Sequence, residues 1–148
     1  MAAPDRILGK GARLYYSTDG GSTYTELTEI SDLGAPDEGE TEQIEATPLN
    51  PSSNAKEFLN GLTDTGKFSF KQFMDKKFTR FKTLRLLKGT LLGWRIVGPM
   101  VTGLTTAPKI EFDGNLEKVN ASGFVRNQPT TIDCDVQVTG AVTLAEGV

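Results

Sequence analysis

Ile132, Cys134, Val136 and Val138 alternate with Thr131, Asp133, Asp135 and Gln137. A period of two over this length predicts a β-strand with one buried face and one wet, acidic face. Gly140 closes that strand, and a shorter alternating run follows at Val142 and Leu144. The same reading predicts strands at 12–17, 23–30 and 41–46, around Phe68 and Phe70, and at 91–97, 109–112, 116–125 and 130–138. In the second of these Tyr24, Leu27 and Ile30 are spaced by three; a bulge or an exposed Tyr24 would explain it.

Thr18-Asp19-Gly20-Gly21-Ser22 reads as a hairpin turn, because Asp-Gly accepts the positive φ that such turns need. Asp113-Gly114-Asn115 and Asn127-Gln128-Pro129 read as the turns between the last three strands. Residues 1–11 form an irregular arm, and 31–40 a loop. Residues 47–65 are polar, carry Pro48 and Pro51, and show no strand period. A loop of that length in a small domain is functional or mobile.

One stretch has a different period. Phe78, Phe81, Leu84 and Leu87 recur every three residues, with Leu86 widening the stripe, which predicts a helix over about 75–88. Asp75 caps it in this reading, and Gly89 supplies the left-handed stop. One helix among seven or eight strands predicts a mainly β domain, an antiparallel sandwich or partly closed barrel.

The 148 residues fit a single domain. No apolar run approaches the roughly 20 residues that cross a bilayer, so no membrane partner is expected. The first eleven residues lack the apolar core of a secretory signal, which predicts a protein made and used in the cytoplasm or exported by another route. Histidine is absent, and with it the commonest general base and transition-metal ligand. The single cysteine, Cys134, falls on the apolar face of its strand, where a buried inert thiol is expected. The acidic stretch Asp37, Glu38, Glu40, Glu42 and Glu45 lacks the spacing of a calcium loop. Asp133 and Asp135 share a face, but no nucleophile or cleft accompanies them. Gly9-Lys10-Gly11 is too short for a phosphate loop. The expectation is a protein that is not an enzyme and needs no cofactor or metal.

Charge, in contrast, is strongly organised. Residues 1–65 hold twelve acidic and four basic side chains, and 66–108 hold nine basic and one acidic. The remainder holds six acidic and three basic. Such separation suits a protein that binds copies of itself, acidic face to basic face; the bland alternative is neutralisation within one fold. The basic helix could also lie on nucleic acid, although its aromatics on the apolar stripe favour a solvated face or a protein contact.

Taken in order, these features resemble a major tail tube protein of long-tailed, lambda-like, non-contractile bacteriophages. The likeness runs from Lys10-Gly11-Ala12-Arg13-Leu14-Tyr15-Tyr16 through the acidic strand Glu42-Gln43-Ile44-Glu45-Ala46-Thr47 and the polar loop to Gly61. It continues through Gly66-Lys67-Phe68-Ser69-Phe70, the helix ending near Gly89, Phe112-Asp113-Gly114 and the Thr-rich strand to Thr139-Gly140. The resemblance implies a tail-tube-like β-sandwich that assembles into stacked hexameric rings around a channel for DNA delivery. It implies no C-terminal immunoglobulin-like domain, for which the chain has no room. Implied partners are further copies, a tail tip or initiator complex, a tape measure protein and a tail terminator, with DNA passing unbound. The implied location is the virion tail, assembled in the host cytoplasm.

Acidic residues repel phosphates, so Glu26, Glu29, Asp133 and Asp135 are the channel-lining candidates. Lys10, Arg13, Glu40, Glu42, Pro48, Asn50, Pro51 and Asn54 are the candidates for contacts between subunits or rings. The rival readings are the tube protein of a contractile tail or type VI secretion system, and, in another class, a nucleic-acid-binding β-barrel.

Overall fold

The computed structural model describes residues 9–50, 52 and 54–148. The elements are β1 (Arg13–Ser17), β2 (Thr25–Leu27), β3 (Ile30–Leu33), β4 (Glu40–Glu45), β5 (Phe58–Asp64), β6 (Lys67–Phe73), α1 (Thr79–Leu87), β7 (Leu91–Val97), β8 (Lys109–Ala121) and β9 (Thr131–Ala145). Seven strands form one antiparallel sheet in the order β2-β1-β7-β8-β9-β6-β3, and β4 pairs with β5 in a separate two-stranded ribbon.

The sheet curls because its connectivity requires it. β2 and β3 are its two edges, yet only Thr28 and Glu29 lie between them. Three Cα steps reach at most about 11 Å, so the edges meet at that corner. Glu29 takes positive φ there (58°) and its carbonyl accepts from the Phe73 N–H at 2.9 Å. The buried Gln72 side chain donates to the Thr28 carbonyl at 2.6 Å, pinning the corner to β6. The predicted strand over 23–30 therefore shrinks to β2, and the predicted loop over 31–40 is not loop throughout, because the opposite edge strand β3 runs from Ile30 to Leu33. Tyr24 is neither bulged nor bare, since the Arg95 guanidinium lies 3.9 Å from its ring centre.

β8 and β9 are long enough to belong to both layers, and bulges bend them. The register shifts between Glu111 and Asp113, opposite Gly140 at φ 78°, and again between Leu116 and Lys118. The second shift returns Val119 to the inner face after two exposed residues. Trp94 of β7 thus packs against Phe68 and Phe70 of β6, with ring centres 6.2 and 5.7 Å apart, although β8 and β9 separate these strands within the sheet. Leu14, Phe112, Leu116, Ile132, Cys134, Val136 and Val138 complete the core. The fold is mainly β, an antiparallel, partly closed barrel with one helix, as the alternation predicts.

Three local expectations change. Asp113-Gly114-Asn115 is not a turn; β8 runs straight through it. Gly114 stands there because an added Cβ would lie 2.5 Å from Val136 Cγ1, and its carbonyl accepts the Trp94 indole N–H at 3.2 Å. Gly140 likewise bends β9 instead of ending it. The 47–65 segment is not loop throughout, since its last part is β5.

The helix is shorter than expected. Phe78 and not Asp75 holds the N-cap position, because the regular turns start at Thr79; Asp75, three residues earlier, still accepts from the Thr79 and Arg80 N–H groups at 3.1 and 3.3 Å. Burial would raise the Asp75 carboxyl, and these N–H groups outweigh it and lower the pKa. Phe78 sits in the left-handed region at φ 57° and is exposed. Leu84 is buried, Phe81 and Leu87 pack partly against the core, and Leu86 is exposed. The real stripe is therefore Phe81, Leu84 and Leu87. Among the described residues no helix is long and apolar enough to cross a membrane.

Candidate assembly surface

The β4–β5 hairpin leaves the body at a pinned base. The Asp37 N–H donates to the Lys67 carbonyl and the Gly66 N–H to the Asp37 carbonyl, at 3.3 and 3.1 Å. Beyond that base every residue of β4 is exposed. Ile44 pairs with Leu59 and Glu45 with Phe58; Ile44, Phe58, Leu59 and Leu62 are 48 to 85 % exposed. Polar rungs hold the ribbon, with Gln43 donating to Asn60 at 2.8 Å and the Thr41 and Thr63 hydroxyls 3.3 Å apart. A two-stranded hairpin alone is marginal in water, and apolar side chains exposed together mark an interaction surface.

Of the contact candidates, Glu40 and Glu42 lie on β4. Pro48, Asn50 and Asn54 are exposed in the connection between β4 and β5, and Pro51 falls outside the described residues. Lys10 lines a separate cleft of about 850 Å³ between β3 and the ends of β7, β8 and β9. Arg13 opens β1, exposed; its guanidinium pKa is raised, first by a hydrogen bond with Tyr15. The structure therefore splits the candidates between the arm, the cleft at Lys10 and the start of β1. Sequence reading did not find Phe58, Leu59 and Leu62. They show no period of two because the register shifts at Gly61 and Leu62, opposite Glu42.

Asp133 and Asp135 do lie on the outer face of β9, as the alternation requires, but they are half-buried. Asp135 accepts from Ser69 at 2.7 Å and Asp133 from Thr131 at 2.9 Å. Their neighbours in register are Lys71 on β6 and Lys118 and Asn120 on β8. Lys67 pairs with Glu117 at 2.5 Å, which raises the Lys67 pKa. This face is a mixed row of both signs instead of an acidic strip. Glu26, opposite Tyr15, lies four strand positions from β9, and Glu29 sits at the corner. The four channel candidates are thus not one cluster. Inside, Cys134 is buried; desolvation, then Asp133 and Asp135, push its thiol up to about 12.

No protein-family model and no curated protein sequence matches the chain. Solved structures match in fold. The 6-fold symmetrised cryo-EM structure of the anti-feeding prophage baseplate gives a TM-score of 0.65 at 10 % identity, over 99 % of this chain and 98 % of that one. The tail of an empty gene transfer agent particle, refined helically with C6 symmetry, gives 0.62 at 11 % identity, over 95 % and 99 %. The SPP1 tail tube gives 0.65 at 13 % identity, over 97 % and 80 %. At such identities the likeness is one of fold, and it spans nearly the whole chain. The chain has the mainly β, tail-tube-like fold of these assembled particles.

Proposed function

We propose that the chain is a structural subunit of a tail tube, self-assembling into stacked hexameric rings that enclose a DNA channel. One observation carries the reading: a whole-length fold likeness to tail and baseplate subunits in a chain whose arm exposes its apolar side chains among the described residues. The six-fold symmetry of two of those neighbours supports rings of six. The tail type rests on the sequence order of acidic strand and polar loop, which favours the long-tailed, non-contractile kind. The likeness itself is equal, 0.65, for the SPP1 tube and the anti-feeding prophage baseplate. A sheath gene beside this one would assign a contractile tail instead. The location is the virion tail, with the tail tip complex, tape measure protein and tail terminator as partners. No catalytic role belongs to this reading.

Asp133 and Asp135 remain the preferred channel residues. Substituting both with Lys should leave tubes intact and hinder DNA passage; unchanged infectivity would remove them from the channel. The primary test is negative-stain electron microscopy of the purified protein at low and high concentration. Hollow tubes or stacked rings are expected. Monomers at every concentration that bind DNA in a salt-sensitive way would replace the tube with a nucleic-acid-binding barrel.

A further inference from the structure

A second apolar patch lies bare at the far end of β6. The Phe78 and Phe124 ring centres are 6.3 Å apart, and both rings and Val125 are exposed. Two backbone bonds hold the patch together: the Met74 N–H donates to the Thr130 carbonyl and the Ser122 N–H to the Thr131 carbonyl, each at 2.9 Å. Lys76, Lys77 and Arg126, adjoining these residues in sequence, are exposed as well.

The patch and the arm are opposites. Residues 37–57, which form most of the arm, carry six acidic side chains against Lys56. The charges beside the patch are basic, apart from Asp75. Both have an apolar centre of exposed side chains. They also lie at opposite ends of one strand: the arm leaves beside Lys67, the patch follows Phe73. Six strand steps place these ends about 20 Å apart. The cleft beside Lys10 is a poorer seat for an acidic arm, since Lys10 and Lys109 are matched there by Asp32 and Glu146.

We propose that the β4–β5 arm of one copy seats on the Phe78, Phe124 and Val125 patch of a second copy, its carboxylates facing Lys76, Lys77 and Arg126. Because arm and patch are different surfaces at opposite ends, the contact is heterologous and propagates head to tail, closing into a ring or continuing as a filament. The inference rests on the reading of the chain as self-assembling and names the surfaces that join.

The test mixes two variants that each add one cysteine, Leu59→Cys and Phe124→Cys, with a short thiol-to-thiol cross-linker. The buried Cys134 stays silent. The expected product joins Leu59→Cys to Phe124→Cys in excess of either self-product. Reversing Lys76, Lys77 and Arg126 to Glu should weaken association by about tenfold or more. Adding Glu42→Lys and Glu45→Lys in the same chain should restore it. Dominant self-products, no product, or association untouched by charge reversal would overturn the proposal. Imaging the same samples separates the two claims. Tubes without the arm–patch product reject this contact and leave the tube standing; the product without tubes or rings does the reverse.

Discussion

The curled sheet and the β4–β5 arm come from one chain but are stabilised in opposite ways. The sheet encloses Trp94, Phe68, Phe70 and Phe112 between two layers made from shared strands. The arm has ladder hydrogen bonds and polar rungs, and exposes every side chain of β4. Burial of apolar area drives folding, so the body is self-sufficient and the arm is not. The arm's apolar residues lower free energy only when another surface covers them. A folded body beside an arm that gains stability only from a cover fits the self-assembly proposed for the chain.

Substitutions should break this contrast in a definite order. Trp94→Ala removes the ring that joins the layers and the bond to the Gly114 carbonyl. It should cost the body about 3–5 kcal/mol in urea unfolding. Gly114→Ala drives a methyl into Val136 and the Gln137 carbonyl and should cost about 1–3 kcal/mol. Phe58→Ser with Leu59→Ser changes exposed positions, so body stability should move by less than about 0.5 kcal/mol, while assembly is lost by sedimentation. A large loss of body stability in that pair would contradict the division into body and arm.

The body should also show a pH dependence. The Cys134 thiol is pushed from 9.0 up to about 12, so the fold keeps a proton that the unfolded chain releases. Its contribution is whole below pH 9 and disappears as pH rises from 9 to about 12. Unfolding curves across that window should show wild-type stability falling and Cys134→Val falling less; equal slopes would mean that the thiol is not held protonated.

How much of this was legible in the chain follows from what each residue faces. Strands with one buried face, such as β7 and the first half of β9, announce themselves by alternation, and the buried Cys134 was readable for that reason. Asp113-Gly114 carries the chemistry of a turn, and tertiary crowding by Val136 explains why a glycine stands there mid-strand. Yet Ile110, Phe112, Gly114 and Leu116 keep one period of two through it, a signal that outweighs the dipeptide. The corner at Thr28–Glu29 was hidden, because a two-residue link between opposite edges is a property of the closed sheet. β5 was hidden too, since a strand exposed on both faces with a bulge at Gly61 has no reason to alternate. Of the candidate surface, the acidic strand carrying Glu42 was legible in the sequence, and the structure places Glu40 and Glu42 on β4. The apolar partners Phe58, Leu59 and Leu62 emerge only once the arm is seen standing off the body.

Hydrogen–deuterium exchange across residues 40–64, in free subunits and in the assembled state, tests the central claim most directly. The account predicts fast exchange in the free arm beside a protected β6–β9 body, then strong protection of the arm on assembly. An arm equally protected in both states, or still open in the assembled particle, would contradict it.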